Sequence, residues 1–261
     1  MNESTVKEAA RLLAEARANL APIEALPEDC RPQGEDDAYR IQDALIELID
    51  DVTFGWKVGA TNETAQQAFG IDRPFSGRLL VSRAVKSPAT LNASTFSTCI
   101  IECEVAFELD RDLPASGAPY ELEDVYKAAS AVHPAIEIVD SRFTDFRSAG
   151  GYSAIADNAL DGGFVYGNAV RGWRTMELEA HTVSLIVNGG RISQGSGGAV
   201  LGHPVNALHW LINSVTGRGF DIRKGELVTT GTWTGPHVAQ PGDAVCADFG
   251  ELGRIELRIE K

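Results

Sequence analysis

Ile101-Glu102-Cys103-Glu104-Val105-Ala106-Phe107 is the stretch on which the reading of this chain turns. Its β-branched and aromatic residues favour a strand, and on a strand residues two apart share a face. Glu102 and Glu104 therefore project together, while Ile101, Cys103 and Val105 face apolar packing on the other side. Two carboxylates side by side in an apolar run repel each other and lose hydration, which calls for a cation or a shared proton. The same spacing also fits two glutamates on the wet face of a sheet, because glutamate prefers water. A second apolar run, Ala135-Ile136-Glu137-Ile138-Val139, carries a third carboxylate in similar company. Three converging oxygen anions suit Mg2+ or Mn2+, hard cations that leave positions for water and substrate.

Working outward, short strand-like runs recur at Phe54–Val58, Ile100–Leu109, Ala135–Val139, His181–Val187, Glu226–Thr230, Ala244–Phe249 and Gly253–Ile259. Asn188-Gly189-Gly190 is a hairpin signal between two of them. Before residue 54 the pattern is helical: Val6, Ala9, Ala10, Leu12, Leu13 and Ala16 form an apolar stripe, and a second helix is expected from Asp36 to Ile49. Further helices are expected over Glu63–Phe69, over Glu123–Val132, and after His203-Pro204, where proline suits a first helical turn. Helices in front and non-alternating strands behind predict an α+β protein with a β-rich, roll- or barrel-like core.

Composition narrows the function. The 261 residues carry 37 acidic against 23 basic side chains, a formal net charge of -14, and gather no basic stripe. Nucleic acid is a poor partner for such a field. No apolar run approaches the ~18 residues of a membrane span, and the first twenty residues contain acids and no apolar h-region, so no signal peptide is expected. Cys30, Cys99, Cys103 and Cys246 show no zinc-type spacing, and the five histidines form no HxH or HxxxH pair. A reducing cytoplasm is the expected location. No GxSxG elbow is present, and Gly195–Gly202 lacks the lysine and the context of a phosphate loop.

Several other residues could carry chemistry. Lys57, in the glycine-bounded strand Gly55-Trp56-Lys57-Val58-Gly59, could hold a substrate carboxylate or move protons, or could snorkel from a strand edge. Arg142 could orient carboxylates or form a surface ion pair. Thr232 and Thr234, in Thr230-Gly231-Thr232-Trp233-Thr234-Gly235, could bond substrate oxygens or simply cap a turn.

Six blocks then occur in one order: Gly55-Trp56-Lys57-Val58-Gly59-Ala60-Thr61, Glu102–Phe107, Ala135–Arg142, Ala156-Asp157-Asn158-Ala159, Gly198–Pro204 and Gly231-Thr232-Trp233-Thr234. The series resembles the 2-keto-4-pentenoate hydratase and 4-oxalocrotonate decarboxylase group of the fumarylacetoacetate hydrolase superfamily, from about residue 36 to the end. The resemblance implies an N-terminal helical segment (residues 1–53), a catalytic mixed β-roll (residues 54–261) and a homo-oligomer. It implies that Glu102, Glu104 and Glu137 hold Mg2+ or Mn2+, that Lys57 sits beside the 1-carboxylate and 2-oxygen of a small 2-oxo acid, and that the blocks around Asn158, Thr232 and Thr234 line or support the pocket. The implied activity is a lyase, hydrating a 2-hydroxy-2,4-dienoate in aromatic-compound catabolism. The alternatives are a 4-oxalocrotonate-type decarboxylase, an acylpyruvate-type C–C hydrolase, or a non-catalytic partner subunit in a complex with a homologous chain. One departure stands out: where the hydratases carry Pro-Asp-aromatic-Gly, this chain has Pro74-Phe75-Ser76-Gly77, and a phenyl ring cannot move protons.

Overall fold

The computed structural model describes residues 1–261. Its helices are α1 (Glu3–Asn19), α2 (Glu35–Ile49), α3 (Glu63–Phe69), α4 (Leu122–Ala128), α5 (Phe146–Ala149), α6 (Gly151–Ala156) and α7 (Pro204–Gly217). Its strands are β1 (Thr53–Gly59), β2 (Phe75–Leu80), β3 (Ala84–Lys86), β4 (Ala89–Asn92), β5 (Ile100–Leu109), β6 (Ala129–Val139) and β7 (Asp161–Tyr166), followed by β8 (Thr182–Val187), β9 (Gly190–Ser196), β10 (Leu227–Thr229), β11 (His237–Val238), β12 (Ala244–Asp248) and β13 (Arg254–Glu260).

The strands form two mixed sheets rather than a closed barrel. One runs β2-β1-β10-β5-β6-β7-β3, with β11 added against β5; the other runs β4-β13-β12-β8-β9. Strand β13 buries alternate residues, Ile255, Leu257 and Ile259, as a strand with one wet face does. These side chains join Val105, Phe107, Ile136 and Ile138 from the larger sheet in one core, to which α7 adds Val205, Leu208, Leu211, Ile212 and Val215. Each such fully buried side chain contributes roughly 1.5–3 kcal/mol. Pro204 occupies the first turn of α7, and the His203 ring accepts the Val205 N–H at its start. The β8–β9 hairpin turns through Asn188 and Gly189, both at positive φ, as its sequence demands.

At the N-terminus the Asn2 side chain caps α1 by accepting the Thr5 N–H. Val6, Ala9, Ala10, Leu13 and Ala16 are buried, with Leu12 half-exposed at the stripe's edge. Val6, Ala9, Ala10 and Leu13, with Leu12 at the edge, pack on Ile41 and Leu45 of α2 and on Phe143 and Ala156. The helix expected over Glu123–Val132 is shorter. It stops at Ala128, and β6 takes the chain from Ala129, pairing with β5 along its length. Those strand hydrogen bonds override the local helical pattern. Pro134 is tolerated inside β6 because only its carbonyl is used there, accepting the Gly167 N–H.

Candidate active site

The β5–β6 register places Glu102 directly opposite Glu137, with Glu104 two residues along β5 on the same face. One carboxylate oxygen from each of the three lies within 4.8 Å of the others. Glu104 and Glu137 are buried, and Glu102 is half-buried where it opens into a cavity. Burial, together with mutual repulsion, pushes the Glu102 carboxyl up to about 7 and the Glu104 carboxyl well above the ordinary range. Glu137 is raised less freely: burial lifts it, and the Lys57 ammonium opposes that. Glu104 Oε2 accepts the Gly231 N–H at 3.0 Å, while its buried Oε1 has no donor at all. A dense, desolvated carboxylate set with an unpartnered oxygen is costly without a cation. Its all-oxygen donors fit a hard divalent ion.

Lys57 comes from β1, next to Trp56, which pairs with Val228 of β10, itself paired with Phe107 of β5. Its stem carries the ammonium into an ion pair with Glu137, and Nζ donates to the Ala159 carbonyl at 2.6 Å. Burial alone would lower the Lys57 pKa, but Glu137, Asp161 and Glu104 more than offset it, so the ammonium stays charged.

The carbonyl that meets Lys57 sits in an unusual turn. Asn158, Ala159 and Leu160 have φ of 49°, 54° and 61°, three consecutive non-glycine residues in the left-handed region. Each costs about 1–2 kcal/mol and persists only if its surroundings hold it. Asn158 does so from within: its Oδ1 accepts the Arg78 N–H and its Nδ2 donates to the Arg78 carbonyl, both at 2.8 Å. Arg142 grips both ends of the turn, donating to Asp157 Oδ1 (2.5 Å), to the Asp157 carbonyl (3.0 Å) and to the Asp161 carbonyl (2.9 Å). Arg17 of α1 adds a bond to Asp161 Oδ2 at 2.9 Å. Gly77 permits the close approach of β2, since a Cβ there would lie 2.6 Å from the Asn158 carbonyl oxygen.

A cavity of about 350 Å³ opens over the carboxylates. Lys57, Glu102 and Glu137 form its polar floor, with Thr61 and Thr232 beside them, and Val58, Phe69, Phe75, Val139 and Phe146 form apolar walls. Gly231 lies at its edge with φ of 95°, where a Cβ would meet Thr61 Oγ1 at 2.2 Å.

The structure thus brings Lys57, Glu102, Glu104, Glu137 and Thr232 together and places three expected contacts elsewhere. Arg142 is buried in ion pairs with Asp157 and Asp140 and does not line the cavity. Asn158 spends its whole side chain on the Arg78 backbone. Thr234 lies off the cavity, its hydroxyl donating to the Gly235 carbonyl, because the segment bends and does not continue as a strand. Ser76 does not stand in for the missing aspartate. Phe75 faces the cavity, and the next residue along β2 faces away, where Ser76 Oγ meets Tyr39 and accepts from Arg218. Sequence reading missed Arg147, Phe69 and Phe146 at the cavity, and missed Arg17 and Asp161 behind it. Nothing local marks these residues, because distant segments bring them in.

With this geometry the chain can be compared with known proteins. The model of the fumarylacetoacetate (FAA) hydrolase C-terminal family matches residues 80–260, and the chain belongs to this family. It is 32% identical over 258 residues to the 2-keto-4-pentenoate hydratase of Paraburkholderia xenovorans (strain LB400), covering 97% of this chain and 94% of that one. It is 29% identical to the 2-oxo-hept-4-ene-1,7-dioate hydratase of Escherichia coli, covering 96% of each. Among solved structures, 4-oxalocrotonate decarboxylase from Pseudomonas putida G7, complexed with magnesium and adipate, superposes with a TM-score of 0.92 at 27% identity, covering 99% of this chain and 98% of that one. No helix is long and apolar enough to cross a membrane.

Proposed function

We propose that the chain is a divalent-metal-dependent lyase that hydrates a small 2-hydroxy-2,4-dienoate to a 4-hydroxy-2-oxo acid. The observation that carries this reading is the buried Glu102–Glu104–Glu137 set beside a charged Lys57 at the floor of an apolar cavity. Glu102, Glu104 and Glu137 would hold Mg2+ or Mn2+, which when bound supplies a Lewis acid for the substrate's 1-carboxylate and 2-oxygen. Lys57 places a fixed positive charge where negative charge grows on the 2-oxygen, held in aim by Glu137 and the Ala159 carbonyl. Asn158 and Arg142 act on Lys57 by fixing that carbonyl. Thr232 contacts the substrate from the cavity wall, and the apolar walls keep bulk water from the diene. We assign catalysis to residues 54–261 and a packing role to residues 1–53, in a cytoplasmic homo-oligomer.

A second reading, decarboxylation of a 2-oxo-enedioate, has its own support. Phe75 occupies the cavity wall, and the acids lining the cavity are Glu102 and Glu137 alone, which leaves no separate carboxylate to activate water. Loss of CO2 needs the same electron sink and no water. Acylpyruvate-type hydrolysis would need that missing base, and a non-catalytic subunit would have little reason to keep three desolvated carboxylates. The test is a panel of 2-hydroxypenta-2,4-dienoate, 2-hydroxyhexa-2,4-dienedioate and an acylpyruvate with purified protein and Mg2+ or Mn2+, following ultraviolet loss and CO2 together. Loss of a dienoate without CO2 is the expected result. Silence across the panel, with and without metal, would overturn the lyase.

A further inference from the structure

We propose that Arg17 of the N-terminal helix α1 is a positioning residue of the active site. By holding the Asp161 carboxylate behind the Asn158–Leu160 turn, it keeps that acid from drawing off the Lys57 ammonium and keeps the Ala159 carbonyl in place. The inference rests on the lyase reading for its kinetics, and it goes beyond the packing role of residues 1–53 by making one of them necessary for full turnover.

Helical spacing puts Arg17 one turn beyond Leu13 and next to Ala16, on the buried side of α1. That helix is seated on Phe143 and Ala156, the sequence neighbours of Arg142 and Asp157. The chain leaving α1 is tied to the same place: the Ile23 N–H donates to the Arg142 carbonyl, and the Ile23 carbonyl accepts the Thr144 N–H, both at 2.9 Å. Arg17 is thereby delivered to the end of the turn. Its Nη1 donates to the Asp161 carbonyl at 3.1 Å and its Nη2 to Asp161 Oδ2 at 2.9 Å. Arg142 Nη1 shares that carbonyl.

The charges around the turn balance only when Arg17 is counted. Asp157 and Asp161 bracket it, and Arg142 is committed to the Asp157 carboxylate and to two backbone carbonyls, with no hydrogen bond to the Asp161 carboxylate. The Asp161 side chain is 1% exposed, its Oδ1 has no donor, and Arg17 is the hydrogen-bond partner of its Oδ2. A buried carboxylate deprived of its cation must find another or force the structure open. The cation within reach of its field is Lys57. Burial disfavours that ammonium, and after Glu137 it is Asp161 that most sustains it. Without Arg17, Asp161 would compete with Glu137 and the Ala159 carbonyl for Lys57. The three left-handed residues would also lose one of the two arginines that pin them.

The test is steady-state kinetics on 2-hydroxypenta-2,4-dienoate at saturating Mg2+, with Mg2+ titration and hydrogen–deuterium exchange of the Asn158–Leu160 amides, all on the full chain. Arg17→Ala should lower kcat about ten- to a hundredfold, the scale of a misaligned reacting group. KM and Mg2+ affinity should stay within about twofold, because the three glutamates keep their strands. The turn amides should exchange faster. Arg17→Lys should recover part of kcat, restoring the charge but not the fork that reaches both Asp161 oxygens. Asp161→Asn should cost less than Arg17→Ala, since Arg17 is 11% exposed and can turn to water while the Asp161 carboxylate cannot. The deciding variant combines Arg17→Ala with Asp161→Asn. With no carboxylate left to draw Lys57 away, it should turn over faster than Arg17→Ala alone, whereas a pure packing role makes the losses add. Additive losses, an unchanged kcat in Arg17→Ala, or a fall in Mg2+ affinity as large as the fall in kcat would overturn the proposal. Should Arg17→Ala not fold, the double variant is compared with Asp161→Asn: kcat within about threefold supports the proposal and a larger drop overturns it. The two readings fail separately. A wild type silent on every dienoate removes the lyase and leaves the exchange measurement, where faster turn exchange in Arg17→Ala, reversed in the double variant, supports the positioning role and equal exchange in all variants overturns it.

Discussion

Stripping divalent cations from the protein should make its stability fall as the pH rises from about 5 to 8, because the folded chain then has to ionise carboxylates that it holds close together. Glu102 sets the scale. Its carboxyl is raised from 4.5 to about 7 in the folded state, so it binds a proton more tightly folded than unfolded. Such a group stabilises the fold fully below the unfolded value, and the contribution disappears as pH rises through the folded one. At roughly 1.4 kcal/mol per tenfold change in proton affinity, the difference amounts to about 3.5 kcal/mol. Glu102 opens onto the cavity, where water screens it, and about 2 kcal/mol is the better expectation. For a chain of this length that is a fall in Tm of about 4–8 °C. Glu104 and Glu137 are shifted the same way and deepen it. The assay is thermal melting in EDTA across the pH range, repeated with excess Mg2+ or Mn2+ and with Glu102→Gln. Metal should reverse the slope, since it binds the ionised carboxylates and stabilises the fold more as they lose their protons. Glu102→Gln should flatten the curve in EDTA. A pH-independent Tm in EDTA, or an equal fall in the variant, would refute the reasoning.

Two further predictions concern the site and its support. Glu104→Gln should abolish turnover and weaken Mg2+ binding by about a hundredfold or more, because one of three anionic ligands is lost. Its circular dichroism should be unchanged, since the amide oxygen can still accept the Gly231 N–H; near-normal turnover at saturating metal would contradict the site. Asn158→Ala should cost about 3 kcal/mol in chemical denaturation, leaving the buried Arg78 N–H and carbonyl unpaired and alanine at positive φ. It should lower kcat more than metal affinity, because it loosens the carbonyl that aims Lys57 while leaving the three glutamates on their strands. A loss of metal affinity as large as the loss of kcat would contradict that division.

The glutamates were legible because strand geometry is local. Once Ile101–Phe107 is a strand, Glu102 and Glu104 must share a face, and the apolar company of Glu137 marks a second strand of the same kind. Glycine-bounded Lys57 and the Asn188-Gly189 hairpin were readable for the same reason, as were the capped helices α1, α3 and α7. Arg142, Asn158 and Thr234 show the limit of that reading. Their neighbours in sequence pointed to the pocket, yet their hydrogen bonds go to Asp157 and Asp161, to Arg78 and to Gly235. Those partners are matters of three-dimensional proximity, and for buried polar groups satisfaction of every donor and acceptor decides the orientation.

The sequence by itself determined the alternation that aligns the carboxylates, the turns and caps that bound the elements, and the phenyl ring at position 75. Only the tertiary structure decided that Glu137 lies opposite Glu102, since register belongs to a pair of strands and not to either one. It alone brought Ala159 to Lys57 across about a hundred residues of chain and held the turn in a left-handed conformation that no local preference would choose. It also brought Phe69, Phe146 and Arg147 to the cavity lining. That cavity exists only where β1, β5, β6, α3, α5 and the loop after β10 converge, because no one segment can enclose space by itself.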